Sequence, residues 1–328
     1  MKIDFARNET LVALVILGFC AAAAVSDPGF LSIATLTDLL RGGITLGIFA
    51  VAAFIVLVSG GIDVSFTAIA AFTMYVVAMV LNAVAPWMPW WAALSCGIAL
   101  GAALGAINGV LIAGFGLPTL IVTLGTLSVF RGFMLTFIGQ KQITTLPPGM
   151  RDFGRMMVVR GENADGSFYS LHAAFLATIG VIVLTWFILH RTMLGRQIFA
   201  IGGSVESARR IGIKVRRVQF FVYVYVGALA GLAGVIHASM ARVANPFDLV
   251  GLELSVIAAV VLGGARLAGG YGTLTGTILG VALIVLVRNS LIVLGIPSTW
   301  QSVAIGFLIL LGTGLPAWQA KRAAARSA

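Results

Sequence analysis

Long apolar runs separated by short polar breaks dominate the chain. Windows of ~20 mostly apolar residues, the length that crosses a bilayer, predict about ten spans along the 328 residues. They are Leu11–Val25, Gly43–Val58, Phe66–Ala83, Trp91–Ile112, Leu120–Ile138, Leu171–Leu189, Phe220–Met240, Leu254–Gly263, Leu274–Val287 and Trp300–Leu315. The second and eighth are short and glycine-flanked, which predicts broken or partly re-entrant segments. Only helices or closed barrels satisfy the backbone in lipid. Barrel strands alternate apolar and polar residues, and runs such as Leu176–Leu189 and Ile278–Val287 do not. The expectation is an all-α, polytopic transmembrane bundle, a single domain over residues 1–328.

Composition agrees. The chain is 60% hydrophobic and 10% charged, with mean hydropathy +1.07; a soluble domain carries about 25% charge. A net charge of +10 can signal nucleic acid, but here the basic residues sit where membrane topology asks for them. The loop His190–Gln219 holds Arg191, Arg196, Arg209, Arg210, Lys214, Arg216 and Arg217 against the lone acid Glu206, and the tail adds Lys321, Arg322 and Arg326. Cytoplasmic loops carry such an excess. An even number of spans, with this loop after the sixth, puts both termini and the loop in the cytoplasm and makes membrane lipid, not nucleic acid, the partner. Lys2 and Arg7 precede the first apolar run as in a signal peptide, but Asp4 and Glu9 dilute that region, so a retained first span is expected.

The opposite loops then lie outside. Pro86–Trp91 is an aromatic interface turn carrying Trp87, Trp90 and Trp91. Gly139–Ser170 mixes Lys141, Arg151, Arg155 and Arg160 with Asp152, Glu162 and Asp165, and reads as a loop or small surface cap.

Glycines recur in stripes: Gly97, Gly101, Gly105 and Gly109; Gly227, Gly231 and Gly234; Gly276 and Gly280. Such stripes let helices pack closely; the other reading is that they leave room for a substrate path.

Catalytic signals are missing. No G-x-x-x-x-G-K-[ST] cradles phosphates, and His172, His190 and His237 lack ligand spacing. Cys20 and Cys96, both in apolar runs, read as small hydrophobes. No catalytic residue, metal or cofactor is expected on this chain.

Two polar segments stand out. Ser59-Gly60-Gly61-Ile62-Asp63-Val64-Ser65 sets a carboxylate between apolar runs. Intramembrane charges are expensive and often functional. The competing reading is structural: the glycines end one helix and Asp63 caps the next through the amide of Ser65 or Phe66. Ser65, Phe66, Asn108 and Thr123 join Asp63 as candidate path residues, although Asn108 also suits a bond to a neighbouring helix. Arg131 is assigned to the external end of the fifth span or to a pairing with a carbonyl, and Asp248, Glu253, Arg288 and Asn289 to external helix ends, where Asp248 and Glu253 either cap the helix or meet a partner. The second segment is Ser204–Gly212. Ser204 is a good N-cap, Glu206 favours the first turn, Arg209 and Arg210 the last, and Gly212 closes the helix. Val205, Ala208 and Ile211 fall at i, i+3 and i+6 on roughly one face. This short helix suits a groove on a cytoplasmic partner, or a bed of anionic lipid.

Several ordered motifs carry a resemblance over about Gly43 to Gly312. They are the segment at residues 59–65, Ala106-Ile107-Asn108-Gly109-Val110-Leu111-Ile112, Ile121-Val122-Thr123-Leu124-Gly125-Thr126-Leu127 closed by Arg131-Gly132, Gly195 to Gly203 with Ala208 to Gly212, Leu262-Gly263-Gly264, and Gly269-Gly270-Tyr271-Gly272-Thr273. Together they resemble the permease subunit of a bacterial ABC importer, in the ribose/simple-sugar branch, similar to the branched-chain amino-acid permeases. The resemblance implies a type II importer fold in the bacterial inner membrane and a second permease, identical or paralogous. It also implies a periplasmic substrate-binding protein and a separate cytoplasmic ATPase pair that binds the ATP. Ser204–Gly212, within the loop 195–217, would be the helix that couples to the ATPase. The family often continues Asp-Leu-Ser with Val-Gly-Ser, where this chain has Val64, Ser65, Phe66 and Thr67, a departure that bears on which sugar passes. The implied cargo is a monosaccharide or related polyol. The alternative is an ion-coupled secondary transporter or channel, for which Asp63 and Arg131 are the available charges.

Overall fold

The computed structural model describes residues 8–293 except 27, 164, 165 and 167, and scattered residues beyond 293. Most of the expected tenth span and all of the basic tail lie outside the described residues, as do Lys2, Asp4 and Arg7.

The bundle is helical. Its elements are α1 (Asn8–Ser26), α2 (Ile33–Val58), α3 (Phe66–Val84), α4 (Trp90–Gly109), α5 (Thr119–Phe133), α6 (Pro148–Phe153), β1 (Met157–Glu162), β2 (Phe168–His172), α7 (Ala174–Arg191), α8 (Met193–Gly203), α9 (Val205–Arg210), α10 (Val215–Ala241), α11 (Glu253–Leu262) and α12 (Leu274–Val293). A π turn extends α4 to Gly114, and another extends α5 to Ile138. Among the described residues, six helices are long and apolar enough to cross a membrane: Ile33–Val58, Phe66–Val84, Trp90–Gly114, Thr119–Ile138, Ala174–Arg191 and Val215–Ala241. Val12–Val25, Glu253–Leu262 and Leu274–Ser290 are shorter apolar helices.

At the centre stands α2. Side chains from Leu46 to Ser59 are buried without interruption, and a helix that is apolar all round belongs inside a bundle. The expected short, broken second span is instead continuous over 26 residues, about 39 Å. Asp38, Arg41, Gly42 and Gly43 all lie inside it, and Ser32 caps it by accepting from the Thr35 amide at 3.2 Å. By contrast α11 is short, as expected, at 10 residues.

The glycine stripes prove to be seams. A Cβ on Gly101 of α4 would lie 2.2 Å from the Gly227 carbonyl oxygen of α10, and one on Gly227 would lie 2.3 Å from the Gly101 oxygen. Gly231 meets Gly97 in the same way, at 2.0 Å. Gly234 is pressed against Ala70 of α3, and Gly276 and Gly280 of α12 against Gly263 and Ala259 of α11. Backbone thus touches backbone, the close approach that small residues allow when lipid supplies no hydrophobic drive.

The bundle has two ends. One carries α6 and the antiparallel hairpin β1–β2, in register Val159 with Leu171 and Glu162 with Phe168. This is the expected surface cap, with two strands added. Trp90 stacks on Phe153 of α6 at 5.4 Å, while Trp87 and Trp91 are exposed. His172 is buried here, and its Nδ1 accepts from the Ala174 amide at 3.0 Å, which starts α7 three residues later than the apolar run suggests. Burial and the nearby Arg41 guanidinium hold the His172 pKa below the usual histidine value. The other end carries α8, α9, the break at residues 59–65 and the turn at residues 264–272. Three helices stop there in the same way. Gly60, Gly212 and Gly264 take φ of +83°, +84° and +93°, and the next amides bond back to Val56, Ala208 and Val260.

Candidate functional site

The break at residues 59–65 gathers the polar residues of the interior. Asp63 Oδ1 accepts from the Ser65 amide and the Ser65 hydroxyl, both at 2.7 Å. Ser65 Oγ in turn accepts from Asn108 Nδ2 of α4 at 2.7 Å. From α5, Thr119 Oγ1 accepts from the Ile62 amide at 3.1 Å, and Thr123 Oγ1 donates to the Ile62 carbonyl at 3.3 Å. Phe66 is buried against Phe49 of α2, with ring centroids 5.2 Å apart. All five candidate path residues therefore meet around one break, and each is buried. The bond expected from the Ser65 amide to Asp63 forms, but as a turn ahead of α3, whose N-cap position is Ser65 itself, and the helix-to-helix bond expected of Asn108 runs to Ser65. Asp63 Oδ2 and Asn108 Oδ1 are buried acceptors without a partner.

One residue of this neighbourhood was assigned elsewhere by the sequence. Glu253 does not stand at an external helix entrance. It is buried, accepting from the Thr67 hydroxyl of α3 and from the Gly251 amide at 2.8 Å. Thr67 lies about 25 Å along α3 from that helix's far end. Residues 242–252 must descend into the bundle to deliver Glu253, and Arg242 and Leu249 take left-handed φ of 57° and 72° on the way. Asp248 accepts from Asn245 at 2.8 Å and lies 3.6 Å from His237. Arg131 is exposed on α5, and Arg288 of α12 donates to Ser255 of α11 at 3.1 Å.

The second polar segment, Ser204–Gly212, is built as its sequence suggests. Ser204 caps α9 by accepting from the Ser207 amide at 3.2 Å. Glu206 and Arg210 pair one turn apart, both exposed. Gly212 closes the helix. Arg209 is exposed too. The apolar strip divides, however. Ala208 is buried against the protein itself, whereas Val205 and Ile211 face outward, Ile211 at 74% exposure. Val205 and Ile211 are thus the apolar residues left for a partner.

A joint of glycines links the two polar segments. A Cβ on Gly202, at the end of α8, would sit 1.8 Å from the Val58 carbonyl oxygen at the end of α2 and 2.6 Å from the Gly270 nitrogen. The Gly270 amide donates to that same Val58 carbonyl at 3.0 Å. Gly269 presses on Gly60. Three backbones meet at a point, three residues before α9 on one side and three before Asp63 on the other. Gly203, next to Gly202, has open space where a Cβ would go.

The chain matches the family described as "branched-chain amino acid transport system / permease component" over residues 35–312. It belongs to that family. Its relatives include the ribose import permease of Escherichia coli strain K12, 33% identical over 310 residues, covering 93% of this chain and 92% of that one. The autoinducer 2 import system permeases of Salmonella paratyphi B and Yersinia pseudotuberculosis are each 32% identical, over 95% and 93% of this chain and 86% and 83% of theirs. No solved structure matches. The protein is a multi-pass membrane permease component, and a component of that kind carries out no reaction itself.

Proposed function

We propose that this chain is the membrane-spanning permease of an ATP-driven importer in the bacterial inner membrane, and that its cargo is a neutral monosaccharide or related polyol. The similarity to a ribose import permease along nearly the full length of both chains carries this reading. The interior supports it. Residues 59–65 and their partners offer hydroxyls, an amide and backbone groups, which suit a polyhydroxyl solute. The two interior carboxylates, Asp63 and Glu253, are each held by hydroxyl and amide donors, as helix-start anchors are.

In this reading the termini and α9 face the cytoplasm, two permeases pair as copies or paralogues, and Val205 and Ile211 seat in an ATPase subunit that binds the ATP. Closure of the ATPases moves α9. The joint at Gly202, Gly60 and Gly270 passes that movement to residues 59–65, where access switches. At the hairpin end, Arg155, Arg160 and Arg242 surround a cavity with Tyr169 and Ser170, a positive face suited to an acidic lobe of a periplasmic binding protein.

Vesicles holding the permease, the ATPase and the binding protein test this. Uptake from a panel of neutral sugars is expected with internal ATP and absent without the ATPase. Uptake driven by a proton or sodium gradient through this chain alone would establish the ion-coupled alternative.

A further inference from the structure

A cavity of about 220 Å³ opens between the break at residues 59–65 and the start of α9. Its wall carries Ser59, Thr119, Ser204, Gln219 and Tyr223 among bare glycine backbone, with no charged side chain. Tyr223 is decisive. Its ring is locked in the core at 2% exposure, and its hydroxyl is buried with no hydrogen bond of good geometry, although the Thr119 side chain lies beside it. A buried hydroxyl left unpaired is costly, and a ligand that pairs it recovers that cost. The Tyr223 hydroxyl also stands where Gly61 leaves room, since a Cβ there would come within 2.8 Å of it.

We infer that this cavity is a cargo subsite for a neutral, polyhydroxylated molecule of about monosaccharide size, with Tyr223 as its buried hydrogen-bonding anchor and Gln219 at its rim. The absence of charge from the lining disfavours ionic solutes, because nothing there would pay for their desolvation. The volume, below the ~300–1,000 Å³ of drug-sized sites, suits a monosaccharide better than a nucleotide or large glycoside. Ser204 belongs both to this wall and to the cap of α9, so an occupant touches the segment that leads into the docking helix. The inference rests on the neutral-sugar reading above.

The test is competition for a thiol in the cavity wall. In the full complex, with Cys20 and Cys96 replaced by Ala, Ala268→Cys is labelled with a neutral maleimide in the presence of D-ribose, D-xylose, D-galactose or myo-inositol. The sugar that the complex takes up should slow labelling at least fivefold, and sugars it does not take up should not. Tyr223→Phe, which keeps the ring and the packing, should raise the concentration for half-protection about tenfold and raise the KM of uptake more than it lowers the maximal rate. Gln219→Ala, at the rim, should shift both in the same direction by less. An imported sugar that gives no protection, or protection untouched by Tyr223→Phe and Gln219→Ala, would overturn the subsite while leaving sugar import intact. If no sugar in the panel enters, both readings fall together, and the wild-type uptake assay shows which case holds.

Discussion

Glycine does two different jobs in this molecule. Along the seam of α4 and α10, Gly97, Gly101 and Gly105 meet Gly231 and Gly227 over about two turns of helix, backbone against backbone. At the joint of Gly202, Gly60 and Gly270 the contacts are equally close, yet they fall at a single point where a helix end, a break and a turn converge. A seam resists sliding and tilting along its whole length. A point contact transmits a push while leaving each partner free to rotate. The same residue, at equally close contact, lines a seam suited to a rigid wall in one place and a point suited to a hinge in the other.

Overfilling the seam should have the largest effect. Gly101→Leu places a side chain where the partner's carbonyl already lies 2.2 Å away. Overpacking costs typically ~1–3 kcal/mol, and here neither backbone can yield, so little folded protein should survive detergent extraction and size-exclusion chromatography. On the joint's side, Ile211→Asp should leave folding unchanged, because the residue is exposed, while ATPase co-purification falls at least about tenfold, equivalent to ~1.4 kcal/mol. Ala208→Glu is a different experiment. It buries a charge inside the protein and should lower folded yield before docking can be judged.

Asp63→Ala removes the acceptor that ties down Ser65 ahead of α3 and should cost about 0.5–1.5 kcal/mol, the net worth of a hydrogen bond. Thermal unfolding in detergent reads that loss. Normal stability with lost uptake would make Asp63 a cargo contact instead.

The smallest effect is expected at the hairpin end. His172 is neutral in the fold and its pKa is depressed, so its contribution is complete above its unfolded value of about 6.5 and is lost as pH falls through the folded value. Hydrogen exchange across residues 157–174 should therefore quicken in mildly acid buffer, and not in His172→Gln.

Local signals were readable in the sequence, and distant contacts were not. Ser204, Glu206, Arg209, Arg210 and Gly212 announce α9 because caps and end charges act within one or two turns. The glycine stripes are periodic and therefore visible. The length of α2 was hidden because Asp38 and Arg41 break the apolar window, although a helix can carry them beyond the core. The hairpin was missed because β1 and β2 are short, mixed in polarity and paired only with each other. Glu253 was placed outside because its partner, Thr67, lies 186 residues away. Which face of α9 turns inward depends on what α9 packs against, so burial of Ala208 could not be read from spacing alone.

The joint is tested most directly by pairing Gly202→Ala with Gly203→Ala in the reconstituted importer and measuring sugar moved per ATP hydrolysed. The added methyl at 202 meets the Val58 carbonyl at 1.8 Å, and the one at 203 meets nothing within 4 Å. The clash at 202 is one methyl at one point, where a helix end and two turns can part, so Gly202→Ala should fold and keep hydrolysing ATP while its transport ratio falls several-fold; Gly203→Ala, whose methyl borders the cavity, should raise the KM for sugar but keep the wild-type ratio. Equal ratios in the two variants, with both proteins folded, would contradict a joint that carries motion from α9 to residues 59–65.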